Sequence, residues 1–173
     1  FPVYEEASQL DIPLCIHTGH PLPFHEWDRG FPIMYSFTAL VSSGVAKQFP
    51  RLRFGLIESG ASWIPYTISQ LGALKRQSLR GKGTRLPRLY ELEPEIFREN
   101  RIYITIDPID DIESLLKFGT EESFMIGTDY SHTDISANLS GLDEVRSWVD
   151  EGRITRAQGQ KILETNSQAF YGL

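Results

Sequence analysis

The sequence predicts an α/β fold with parallel strands, and two observations carry that reading. First, four short apolar runs, at 12–16, 52–57, 102–106 and 124–127, alternate with longer helical stretches. Strand and helix periods in alternation imply parallel strands joined by right-handed crossovers. Largely apolar runs suit strands buried on both faces. Second, each run is followed within two residues by one capable of chemistry: His17, Glu58, Asp107 and Asp129. Ligand sites of parallel α/β folds lie outside the carboxyl ends of the strands. One such residue is explained by a turn; four in succession point to a site.

Each element has a local reason. Residues 3–10 read as the end of a helix. The first strand, 12–16, has Pro13 near its start, where a missing N–H is tolerated. His17-Thr-Gly-His20 follows, then a loop over 21–30 with His25, Trp27 and Asp28. A helix over about 33–48 places Leu40, Val41, Val45 and Phe49 on one face, and Pro50 stops it. The second strand leads into Glu58-Ser-Gly60 and a helix over 61–79, with Ser62 as its expected N-cap. The stretch 80–88 is rich in Gly and Arg and reads as a loop. A short helix over 94–99 precedes the third strand and Asp107-Pro108. A helix over 111–118 ends near Gly119. Helices over 142–151 and 155–165 follow the fourth strand, and residues 166–173 read as a carboxyl end.

The 173 residues suffice for one domain with a real core, and no internal boundary is visible. A formal net charge of −6 argues against a nucleic-acid partner. No apolar run reaches the roughly 18 residues of a membrane span, and no signal peptide is visible. The single cysteine, Cys15, permits no internal disulfide, so a reducing, cytoplasmic setting is expected. Cys15 itself reads as a small buried hydrophobe. The chain opens Phe1-Pro-Val3 without a methionine, as if it began partway through a longer protein.

The stretch Phe124-Met-Ile-Gly-Thr-Asp-Tyr-Ser-His132 concentrates the question of function. A carboxylate where a buried strand ends is costly unless a metal ion, a histidine or backbone donors compensate it. Asp129 can equally cap the next turn. Imidazole and carboxylate together suit Zn²⁺, Fe²⁺ or Mn²⁺.

Four pieces carry a family resemblance: Ile12-Pro-Leu-Cys-Ile-His-Thr-Gly19, Glu58-Ser-Gly-Ala-Ser-Trp-Ile-Pro65, Gly127-Thr-Asp-Tyr-Ser-His132, and Lys161-Ile-Leu-Glu-Thr-Asn166 with Phe170-Tyr-Gly-Leu173. On these the chain resembles the carboxyl-terminal half of the amidohydrolase-related metal-dependent hydrolases, which include the aminocarboxymuconate-semialdehyde decarboxylase-like enzymes. The resemblance implies a partial (β/α)₈ barrel, residues 1–173 forming its last four βα units. It makes His17 and Asp129 the metal ligands, with Zn²⁺ expected first and Mn²⁺ or Fe²⁺ as alternatives. The first-strand His-x-His ligands of the family have no counterpart here. A histidine often stands at the end of the sixth strand, and here that place is Glu58. A glutamate with a raised pKa can transfer protons; it can also orient a ligand.

The implied activity is metal-dependent hydrolysis or non-oxidative decarboxylation of a small organic substrate, aromatic or carboxylated. Catalytic roles fall to Asp129 and Glu58. His20, Trp63 and His132 are candidates for substrate contact. Trp63 reads equally as core, His132 equally as a loop cap, and His25 as a solvated loop residue. Asp107 reads as a turn former. The cationic window Lys75, Arg76, Arg80, Lys82, Arg85 and Arg88 reads as a solvated or subunit-facing loop. The alternative is a non-catalytic α/β domain, or a barrel fragment inactive by itself. The outer strands should be open edges that favour self-association, and a homo-oligomer is expected of the full-length protein.

Overall fold

A computed structural model describes residues 1–18, 30–79, 95–119, 121–133 and 137–173, apart from the side chains of 74, 75 and 77–79. Four parallel strands form one sheet: β1 (Leu14–His17), β2 (Phe54–Ile57), β3 (Ile102–Ile106) and β4 (Phe124–Ile126), adjacent in chain order. The parallel, sequential order is the one the strand–helix alternation predicts. Among the described residues the helices are α1 (Pro2–Gln9), α2 (Gly30–Ser43), α3 (Val45–Gln48), α4 (Trp63–Leu79), α5 (Ile96–Glu99), α6 (Ile112–Phe118), α7 (Gly141–Asp150), α8 (Arg156–Gln160) and α9 (Asn166–Tyr171). A π-helical turn, Lys161–Thr165, joins α8 to α9. None of the described helices is long and apolar enough to cross a membrane.

Register decides which side chains meet. Ile16, Leu56, Ile104 and Phe124 form one row, and Leu14, Phe54 and Ile102 another. Strand side chains alternate between faces, so both rows share a face. Leu56, Ile104 and Phe124 are fully buried there, in one core with Ile33, Phe37, Ile64, Phe97, Ile112 and Val145 from the helices.

The opposite face carries Cys15, Gly55 and Tyr103, then His17, Ile57, Thr105 and Met125. Near the amino ends of the strands it is covered by Phe170 of α9, which is fully buried. A Cβ on Gly55 would lie 2.6 Å from Phe170 Cζ, so only glycine admits the ring. The Tyr103 ring stands 5.3 Å from it. Cys15 is exposed on this face. That corrects the expected buried thiol: β1 is an outer strand of the sheet, and its inner row is not packed like its helix-facing row.

Other departures have local causes. The helix expected over 33–48 starts at Gly30 and breaks at Gly44, whose φ of 72° lies in the left-handed region open to glycine. Ser62 precedes α4 but does not cap it: its hydroxyl donates to Asp110. Helix expected to stop at Thr165 continues through the π turn into α9. Thr155 caps α8 in a reciprocal box with Gln158. Asn166, buried, donates to Phe124 O at 2.7 Å and Glu121 O at 2.8 Å, tying this closing helix to β4.

Candidate metal and catalytic site

The site is built where β2 and β4 end. Just past β2, Glu58 takes a φ of 61°, and its N–H donates to Thr105 Oγ1 at 2.9 Å. Past β4, Asp129 and Ser131 have φ of 48° and 78°. Non-glycine residues seldom occupy this region, and such strain gathers at functional sites. Between the two turns lies a cleft of about 90 Å³, lined by Glu58, Thr105, Asp107, Asp129 and Asn138 among others. Asp107 also accepts from the Ile109 N–H at 3.2 Å, in keeping with the expected turn former.

The electrostatics are unusual. Glu58 is only 12% exposed in its side chain, and its Oε2 lies against His17 Nε2. His17 Nδ1 is 2.6 Å from Thr18 O. A carbonyl only accepts, so Nδ1 carries the hydrogen, and in the neutral ring Nε2 presents a lone pair. Glu58 Oε2 is buried and makes no hydrogen bond among the described residues. Lone pair therefore faces lone pair unless a proton or a cation stands between them.

Asp129 Oδ2 is 2.8 Å from His132 Nδ1. The His132 N–H also donates to Asp129 O at 3.2 Å, so His132 both pairs with the carboxylate and closes the turn. Ligand atoms of Glu58, Asp129 and His132 all lie within 4.8 Å of one another. Two carboxylates crowded together with an imidazole form a donor set suited to a divalent cation. A buried acceptor without a donor is the kind of atom such an ion would satisfy. The residues present fit a divalent metal.

The fold thus draws a somewhat different set together than the sequence selects. Glu58 and Asp129 converge; His132, a candidate substrate contact, lies with them; His17 reaches the group through Glu58. Trp63 is 8% exposed, its ring 5.3 Å from Phe37 and 6.4 Å from Phe97, which is a core position. His20, His25, Trp27 and Asp28, the loop over 80–88, and the side chain of Lys75 lie outside the described residues. Three contributors are not singled out by sequence: Thr105, Asn138 and Asp110. Thr105 and Asn138 are small polar residues without a motif. Asp110 adjoins Asp111, which caps α6 by accepting from Ser114 N–H, and nothing in the sequence separates the two.

The family model described as "Amidohydrolase" matches residues 1–173. The chain belongs to the amidohydrolase family. No curated protein sequence matches this family member. Among solved structures, it is similar to a dihydroxybenzoic acid decarboxylase from Polaromonas sp. JS666, which has bound manganese and the inhibitor 2-nitroresorcinol. The TM-score is 0.70 at 20% identity, covering 99% of this chain and 53% of that one. It is also similar to 5-carboxyvanillate decarboxylase from Sphingomonas paucimobilis, at TM-score 0.65, 21% identity and coverage of 99% and 52%. A third is 4-oxalomesaconate hydratase from Rhodopseudomonas palustris, at TM-score 0.60, 19% identity and coverage of 99% and 49%. At these identities the likeness speaks for the fold. The chain spans about half the length of these structures, and its four parallel strands are part of a (β/α)₈ barrel.

Proposed function

We propose that this amidohydrolase-family chain supplies half of the active site of a divalent-metal-dependent enzyme that decarboxylates a small carboxylated ring compound without an oxidant. The observation that carries the reading is the convergence of Glu58, Asp129 and His132 within 4.8 Å. The aromatic-acid decarboxylases among the similar structures support the reaction class.

Glu58, Asp129 and His132 would hold the ion, with His17 beside Glu58. When bound, the metal would act as a Lewis acid toward the substrate's oxygens and offset the crowding of negative charge. The oxygen-rich donor set suits Mn²⁺ as well as Zn²⁺. Loss of carbon dioxide leaves a ring carbon that must gain a proton. Asp129 would hold that proton at Oδ2, and His132 Nδ1, 2.8 Å away, would fix the carboxyl group's orientation. The described cleft, about 90 Å³, is far below the roughly 300 Å³ of a small-ligand pocket. The barrel's other half would therefore complete the substrate's enclosure.

The test uses the complete barrel supplied with Mn²⁺ or Zn²⁺ and a panel of hydroxylated benzoic acids. Carbon dioxide release that a chelator stops and Asp129→Asn abolishes is the expected result. Hydrolysis of amides, esters or lactones without carbon dioxide release would make it a hydrolase. Failure to take up metal would favour the non-catalytic domain. The same reading keeps a cytoplasmic setting, from the single cysteine, and a homo-oligomer, which light scattering checks.

A further inference from the structure

We propose that Asp110 is a positioning residue that fixes Glu58 for metal binding; the inference rests on Glu58 being a ligand. Asp110 is 5% exposed, and no cation pairs with it among the described residues. A buried carboxylate is tolerated only when hydrogen bonds replace its hydration. Here the donors come from both loops beside the cleft. Oδ2 accepts from Ala61 N–H at 2.8 Å and from Asp107 N–H at 2.9 Å, while Oδ1 accepts from the Ser62 hydroxyl. The carboxylate also sits at the amino end of the 17-residue helix α4, where negative charge is favourable.

The consequence falls on the Glu58-Ser-Gly60 turn. Gly60 has a φ of 59°, and a Cβ there would stand 3.3 Å from Asp110 Oδ2. Gly60 O accepts from Trp63 Nε1 at 3.1 Å. The strained turn is thus held at Glu58 N–H by Thr105, at Gly60 O by Trp63, and at Ala61 N–H by Asp110. Because Asp110 grips Asp107 N–H with the same oxygen, it fixes the spacing of two loops that line one cleft. Asp110 does not line that cleft itself; it acts through the loops.

The test compares wild type with Asp110→Ala, Asp110→Ser and Asp110→Asn in the 173-residue chain, by calorimetric titration with MnCl₂ well below each melting temperature. Asparagine keeps an oxygen for the two N–H donors and offers its amide to Ser62, so it should restore near-wild-type affinity. Alanine should weaken Mn²⁺ binding by about 10- to 100-fold, the usual effect of losing a group that orients a ligand. Serine, with one short acceptor, should also weaken it, and carries the test if the alanine variant does not fold. A lowered melting temperature with unchanged Mn²⁺ affinity would overturn the inference. If wild type takes up no Mn²⁺, the metal reading fails, and hydrogen exchange at the Glu58 amide decides the role of Asp110. Faster exchange in Asp110→Ser, with Leu56 unchanged, supports positioning; equal exchange at Glu58 overturns it.

Discussion

The two rims of the sheet carry the same backbone strain to opposite ends. At the amino rim, Asp11 and Arg101 have φ of 56° and 53°; at the carboxyl rim, Glu58 and Asp129 have 61° and 48°. Such residues cost of order 1–3 kcal/mol each wherever they stand. At the amino rim the strained residues are fully engaged. Arg101 donates to the carbonyls of Leu52, Ala46, Phe49 and Glu99. Asp11 accepts from Arg53, which also holds Phe170 O over the lower part of the sheet. At the carboxyl rim, strain brings carboxylates together and leaves Glu58 Oε2 against His17 with no hydrogen bond among the described residues. The first arrangement builds stability. The second holds charge in readiness for a cation, and the crowding of its carboxylates marks function better than strain does.

This contrast predicts that stability and metal binding separate by rim. Arg101→Ala should show the largest effect on folding, about 2–4 kcal/mol, because several carbonyls lose a charged donor at once. Mn²⁺ affinity of the folded fraction should be unchanged. Glu58→Gln should do the reverse, removing metal binding while leaving the melting temperature nearly unchanged, since Oε2 makes no hydrogen bond among the described residues and its pairing with the exposed His17 ring is screened by solvent. Urea unfolding and metal titration of the two variants check both halves. A Glu58→Gln variant that loses several kcal/mol would make the carboxyl rim structural.

Gly55→Ala sharpens the role of the amino rim as a floor. The new methyl would meet Phe170 Cζ at 2.6 Å. Overpacking of this kind costs about 1–3 kcal/mol, so the urea midpoint should fall. A further change to Phe170→Leu should recover part of the loss. Unchanged stability in Gly55→Ala would mean that Phe170 does not press on the sheet.

The smallest expected effect lies beside the amino end of β4, away from the strained residues. Lys161 donates to Glu121 at 2.5 Å and Glu122 at 2.9 Å. These bonds, Glu121's first, raise the lysine above its ordinary pKa, and the Lys161 bond holds Glu122 below the usual carboxylate value. The stabilisation is therefore complete above the ordinary glutamate pKa and below the ordinary lysine pKa. It fades as pH falls through the lowered Glu122 pKa, and as pH rises through the raised Lys161 pKa. With 29% to 42% of these side chains exposed, solvent screening limits Lys161→Met to roughly 0.2–1 kcal/mol. Urea midpoints of variant and wild type should differ near neutral pH and converge in acid.

The fold was legible because each strand is a compact apolar run, and polar residues at the strand ends mark one rim whatever the loops do. Glu58 and Asp129 could be named on that ground alone. The exact grouping was not legible. His132 joins Asp129 through a turn whose left-handed residues, Asp129 and Ser131, leave no pattern in sequence. Asp110 acts on Ala61 across 49 residues, a contact that neither periodicity nor capping rules reveal, and it displaces Ser62 from its expected cap. The exposure of Cys15 is not legible either, because an apolar run does not tell an outer strand from a central one.

The most direct test of the central claim is calorimetric titration of this chain with MnCl₂, set against Asp129→Asn. Asparagine keeps the side-chain shape and tolerates the φ of 48°, so only the charge is removed. The account predicts one Mn²⁺ per wild-type chain, binding lost in Asp129→Asn, and a melting temperature without metal that is equal or higher in the variant. Equal Mn²⁺ binding by the two proteins would contradict it.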